Sequence, residues 1–153
     1  MPDPVIKTIE VPCSQSNAFS TFTDKIGSWW PLDKNSVSAM QGEVAKEVHI
    51  EAKSGGSIYE IGHDGTRHEW GSITTYNPSD KLVLAWHIGL SAEQASRVAV
   101  DFIVVDLDTT KVVLMHDKWE AFGEKAGDMR EGYNKGWAGV FETAYAAACP
   151  VSA

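Results

Sequence analysis

Glu60 and Glu69 stand on either side of an Asp64-Gly65 turn signal, and His116 lies in a later run of valines and leucines. Two carboxylates held side by side repel, so one of them is driven to keep its proton. Such a pair can work as general acid and base, with a histidine as proton donor or orienter. For this the three groups must share a face. A two-residue turn at Asp64-Gly65 would pair Glu60 with Glu69 and Ile58 with Gly71. A four-residue loop over Asn77 to Asp80 would pair Gly71 with Trp86 and Ile73 with Leu84. Side chains alternate along a strand. One face then carries Ile58, Glu60, Glu69, Gly71, Ile73, Leu82, Leu84 and Trp86, and its apolar character predicts that it points inward. Val98, Val100, Phe102 and Val104 extend it, followed by Val112, Leu114 and His116. A β-bulge would reverse the faces beyond it. A plain structural role is open for each group. The carboxylates can sit solvated at the rim or pair with Arg67 or Lys53, and His116 can be a hydrogen-bonded core residue.

Other chemistries find no support. His63 and His68 flank a turn without a third ligand nearby, and adjacent strand residues such as His116 and Asp117 point to opposite faces. Nucleotide-binding, nucleophile-elbow and zinc-protease motifs are missing. Cys13 and Cys149 form no CxxC pattern, so two reduced thiols are expected. No metal and no cofactor is anticipated. A net charge of -8 and a pI near 5.0 argue against nucleic acid or anionic membrane as partner. The N-terminal residues have neither the basic nor the apolar part of a signal peptide, which predicts a cytoplasmic protein.

The elements that must position these groups read as follows. Residues 5–11 form a strand, and Ser14 or Ser16 caps a short helix to about Asp24. A second short helix over Lys25 to Trp30 stops at Pro31, and residues 32–43 read as a loop. Six consecutive strands follow between Val48 and Trp119. The longest helix spans 128–148, with Met129, Tyr133, Trp137, Val140, Phe141, Ala144 and Ala148 on one stripe. Gly132, Gly136 and Gly139 run along the edge of that stripe. Each glycine gives up about 1 kcal/mol of helix propensity relative to alanine. Either the backbone there packs very close to a neighbour, or space beside it is kept open. This order predicts a single α+β domain over residues 1–153, with the long helix on the inner face of a curved antiparallel sheet. The six tryptophans supply amphipathic walls for either a filled core or a lined cavity.

That order, with Phe22-Thr23-Asp24, Trp29-Trp30-Pro31, Gly55-Gly56-Ser57, Trp70-Gly71-Ser72, Trp86, Trp119-Glu120 and Gly136-Trp137, resembles the helix-grip fold of the START/Bet v 1-like (SRPBCC) superfamily. Within it the chain is similar to the Aha1-like group, relatives of the C-terminal domain of the Hsp90 ATPase activator. The resemblance implies a cavity between helix and sheet, in a superfamily that binds lipids, sterols and hormones and includes cyclases and hydrolases. The expected ligand is a small apolar or aromatic molecule. Trp30, Trp86, Phe102, Met129, Tyr133 and Trp137 would form the walls, and Glu60, Glu69 and His116 the polar contacts. A cavity enzyme using Glu60 or Glu69 with His116 is the alternative. A third reading is a stress-linked interaction module with an Hsp90-type partner. The activator works with an additional N-terminal domain that has no counterpart here, so this is the lesser expectation. An exposed strand edge could pair two copies into a homodimer.

Overall fold

A computed structural model of the protein describes residues 2–149; residues 1 and 150–153 of the expected domain lie outside the described residues. Seven strands form one antiparallel sheet: β1 (Val5–Val11), β2 (Glu47–Ile50), β3 (Ser57–Ile61), β4 (Arg67–Asn77), β5 (Lys81–Trp86), β6 (Ser96–Asp106) and β7 (Thr109–Asp117). Their order is β1-β7-β6-β5-β4-β3-β2, so β1 and β2 are the edges. Between β1 and β2 come α1 (Gln15–Phe22), a single 3-10 turn (Ile26–Ser28) and α2 (Val37–Met40). After β7 a 3-10 segment (Trp119–Lys125) leads into α3 (Ala126–Trp137). The helix continues through a π-helical segment (Ala138–Tyr145) to a last turn, α4 (Ala146–Ala148). This is the expected α+β helix-grip architecture. No helix among the described residues is long and apolar enough to cross a membrane.

The inner face is apolar because period-two alternation holds along most strands. β5 alternates buried Leu82, Leu84 and Trp86 with half-buried partners, and β7 does the same with Val112, Leu114 and His116. Gly71 pairs with Trp86 and Ile73 with Leu84, as expected. Ile58 pairs with Gly71, also as expected. Both registers are reached by a different route, however. The Asp64-Gly65 hairpin has a three-residue loop, with the Gly62 N–H donating to Thr66 O at 2.7 Å and Gly65 N–H to Gly62 O at 2.9 Å. Only Gly65 has positive φ (86°), which suits a type I turn closed by a left-handed glycine and not the type I′ turn predicted. Glu60 therefore pairs with His68, not Glu69, and a bulge at Trp70 restores the register by Gly71. The next hairpin repeats the device. Asn77 pairs with Lys81 across a three-residue loop, and a bulge at Thr74 restores the register by Ile73.

Val104 departs from the expected inward set. It is 57% exposed although it pairs with Thr110, because the β6–β7 hairpin runs past the layer that covers the sheet. On β6 the covering layer ends at Phe102, where Phe19 packs edge-on at 5.1 Å and Gln15 Nε2 donates to the backbone carbonyl, whereas on β7 it reaches Thr110, whose hydroxyl donates to Cys13 O at 2.9 Å. The π-helical segment explains a second departure. Tyr145 lies outside the predicted stripe, and the wider i→i+5 turn rotates it back toward the buried face, where its ring stacks on Phe141 at 5.6 Å and 4°. Tyr145 is fully buried and donates to Ala18 O at 2.7 Å, tying the helix to α1.

Candidate functional site

Beside α3 lies a cavity of about 340 Å³, lined mainly by apolar side chains. Trp86 supplies one wall from the end of β5, and Trp30 another from the segment after α1. Met129, Tyr133, Trp137 and Val140 supply the helical wall. Ile88, Leu90 and Met40 close the far side, and the exposed Lys34 and Asp128 stand at the rim. Trp30 is held in place by its N–H, which donates to Asn35 O at 2.6 Å. Its ring packs on Trp70, Trp86 and Trp137 at 5.1, 5.9 and 6.0 Å. The aromatic wall is thus a continuous cluster and not a set of separate side chains.

Two of the three glycines of the stripe, Gly132 and Gly136, line this cavity, and Gly139 does not. A Cβ at Gly132 would meet nothing within 4 Å, and one at Gly136 would meet only Asn35 Nδ2, at 3.8 Å. Close packing is therefore not the reason for these glycines. Their missing side chains leave room beside the helix, which is the second of the two readings the sequence allows.

Five of the nine residues expected at the site line the cavity: Trp30, Trp86, Met129, Tyr133 and Trp137. The other four do not. Phe102 is fully buried between Phe19 and Phe22, in the core beneath α1. Glu69 is on the exposed side of β4 and pairs with Arg67 at 2.8 Å, the role considered as the plain alternative. Glu60 faces inward but is fully occupied. Its carboxylate accepts from Val37 N–H, from the Ser38 N–H (3.2 Å) and hydroxyl (3.1 Å), and from Trp70 Nε1 (2.8 Å). It anchors the start of α2, where backbone N–H groups lack helical partners, and leaves no lone pair for a substrate proton. The expected Glu60–Glu69 pair does not exist, because the longer turn moves Glu69 out of register.

His116 lies behind the cavity wall. Its ring packs against Trp119 at 4.3 Å and Tyr133 at 4.5 Å, inclined to them by 32° and 59°. Trp137 Nε1 donates to Nδ1 at 3.0 Å, and Nε2 lies 2.7 Å from Ser96 Oγ. An indole nitrogen can only donate, so Nδ1 must be unprotonated. Ser96 Oγ sends its own proton to Trp86 O, so Nε2 carries the hydrogen and donates to Ser96. The ring is neutral and ties Trp137 and Trp86, two cavity walls, to one post. Burial pushes its pKa down to about 3, opposed only in part by Asp117. The unfolded histidine titrates near 6.5, so below that pH the unfolded chain takes up a proton that the folded ring refuses. His116 therefore costs stability as pH falls from about 6.5 to about 3, by at most about 1.4 kcal/mol per pH unit. We expect His116→Gln to lose about 2 kcal/mol less than the parent between pH 7 and pH 5, read from urea midpoints at the two pH values. Equal losses would show that His116 is not the buried neutral group described.

The model of the family described as Activator of Hsp90 ATPase homolog 1-like protein matches residues 12–143. The chain belongs to that family. No curated protein matches it significantly. Among solved structures, this Aha1-like chain is similar to an anthrahydroquino-gamma-pyrone synthase, Txn09, at 25% identity and TM-score 0.64, over 97% of this chain and 99% of that one. It shares its fold with CalC, a self-sacrificing resistance protein from Micromonospora echinospora, at 24% identity and TM-score 0.66, over 94% and 92%. It shares it also with an HSP90 activator from Plasmodium falciparum, at 23% identity and TM-score 0.60, over 92% and 91%. What sequence reasoning missed in this Aha1-like site is the segment 34–40 and the Ile88–Leu90 turn. The signal for the first was Ser36, whose hydroxyl accepts from Ala39 N–H at 2.9 Å and caps α2. A four-residue helix is too short to show periodicity.

Proposed function

We propose that this protein binds a flat apolar or aromatic small molecule between α3 and the end of β5. The observation that carries this is the 340 Å³ cavity walled by Trp30, Trp86, Tyr133 and Trp137 and widened at Gly132 and Gly136. Rigid aromatic walls with few polar groups suit such ligands. The likeness to a synthase of fused-ring pyrones supports the same chemical class of ligand. Glu60, Glu69 and His116 are engaged elsewhere, so if the bound molecule also reacts, confinement and orientation are supplemented only by the Tyr133 hydroxyl and the rim residues Lys34 and Asp128. The test is native mass spectrometry of protein purified from its own host, followed by denaturation of the same sample. We expect a stoichiometric small molecule that is released on unfolding. An apo mass, together with no calorimetric binding across a panel of fused-ring aromatics, would sink the proposal.

A second reading, a protein-interaction role, has one observation behind it. Ile103, Val104, Val105 and Leu107 expose 45–88% of their surface at the β6–β7 tip, well away from the cavity. It would be tested by asking whether Leu107→Asp abolishes capture of an Hsp90-type chaperone. Capture unchanged by the substitution would exclude this surface.

A further inference from the structure

The apolar cavity contains two polar groups whose hydrogen bonding is incomplete. Trp86 is 2% exposed, and its indole N–H has no hydrogen-bond partner among the described residues. Native structures rarely leave a buried donor unmet, and one that is unmet calls for an explanation. The group beside it is the Tyr133 hydroxyl, which the indole approaches without reaching hydrogen-bonding geometry. Tyr133 lines the cavity. Burial pushes its pKa up to about 12, so the hydroxyl keeps its proton throughout the physiological range.

A hydroxyl offers one donor and two acceptor positions. With the indole N–H approaching one lone pair, the hydroxyl keeps its own proton free to donate away from Trp86, and Tyr133 lines the cavity. Trp30, Met129, Trp137 and Val140 line the same cavity with side chains that carry no strong acceptor, and the polar lining residues Lys34, Asn35, Ser36 and Asp128 make no hydrogen bond to the hydroxyl. The Trp86 N–H is already sealed from water, and a pure hydrocarbon in the cavity would cover the Tyr133 hydroxyl and give it nothing in return. A ligand with an oxygen at that edge would accept from the hydroxyl and leave the hydroxyl's lone pairs to the indole.

We propose that Trp86 and Tyr133 form a two-step donor relay that recognises a carbonyl or similar acceptor oxygen on an aromatic ligand. Trp86 N–H donates to Tyr133 Oη, and Tyr133 O–H donates to the ligand oxygen. The relay rests on the ligand-binding reading above and narrows it, from flat apolar molecules in general to aromatic ketones, quinones and pyrones. Binding draws the ring of Tyr133 into hydrogen-bonding geometry on both sides.

The test uses fluorenone and fluorene, two flat molecules that differ by one carbonyl oxygen. Their affinities are measured by calorimetry on the wild type and on Tyr133→Phe. We expect the fluorenone-to-fluorene affinity ratio to fall about tenfold in Tyr133→Phe, as loss of one buried hydrogen bond predicts. A thermal melt of the variant shows that it keeps its fold, and the ratio cancels any change in packing against the ring that both molecules share. A ratio that does not move overturns the relay and leaves the cavity reading standing. Failure of the wild type to bind either molecule overturns both.

Discussion

Glu60→Ala is expected to lower the free energy of unfolding by about 3–5 kcal/mol. The carboxylate is fully buried and receives Val37 N–H, Ser38 N–H and Trp70 Nε1–H. Without it these donors lie in an interior that offers no other acceptor, and each stranded donor costs roughly 1–3 kcal/mol. Glu60→Gln keeps one acceptor oxygen and should lose about half as much. The damage should be felt locally as well. α2 would lose its anchor, and with it the position of Met40 and Ser36 in the cavity lining. Urea unfolding followed by tryptophan fluorescence gives the global loss, and amide exchange over residues 36–42 gives the local one. A loss below about 1 kcal/mol would mean that water reaches this carboxylate.

Gly136→Leu is expected to reduce ligand affinity by about a hundredfold while leaving the protein folded. The new side chain would enter the space that Gly136 holds open, meeting only Asn35 first. A ligand would then have to give up contact with the helical wall or displace a leucine, a penalty of about 1–3 kcal/mol. Stability should rise slightly, since leucine is the better helix former by close to 1 kcal/mol. Calorimetry with fluorenone and a thermal melt of the same variant supply both readouts. Higher stability with undiminished affinity would place the ligand elsewhere. The two predictions separate two kinds of residue that the sequence presents alike. Glu60 looks reactive and is structural, whereas Gly136 looks like a weakness of the helix and shapes the site.

The difference between those residues shows how far the sequence could be read. Alternation made the inner face of β5 and β7 legible, because one apolar face must be buried and nothing interrupts those strands. The aromatic stripe of α3 gave Tyr133 and Trp137 by the same logic. Glu69 failed because its placement depended on a single turn type, and Asp64 does not adopt the positive φ that the predicted turn demands. Phe102 failed for another reason. Alternation tells which way a side chain points but not which part of the sheet the helix covers, and Phe102 lies beneath α1. Tyr145 was hidden because a 100° wheel assumes α-helical geometry, and that stretch is π-helical. His116 was correctly placed on the inner face, yet its role was settled only by the indole on one nitrogen and the hydroxyl on the other.

The compensating bulges in β4 have a consequence for how this chain can change in length. In each hairpin a turn and a bulge displace the register by one residue in opposite senses, so that Gly71 and Ile73 regain their partners. Deleting one residue from the His63-Asp64-Gly65 loop would leave Gly62 opposite Thr66 across a two-residue turn, with Glu60 still opposite His68. Deleting Trp70 would leave Tyr59 opposite Glu69 and Ile58 opposite Gly71, now in a regular ladder, at the loss of one indole. Each irregularity can therefore be lost by itself without turning β3 over, whereas a deletion between them would turn Tyr59 and Glu60 to the wrong faces. Gaps in alignments of related chains should fall at the loop tip or beside Trp70, and not between them.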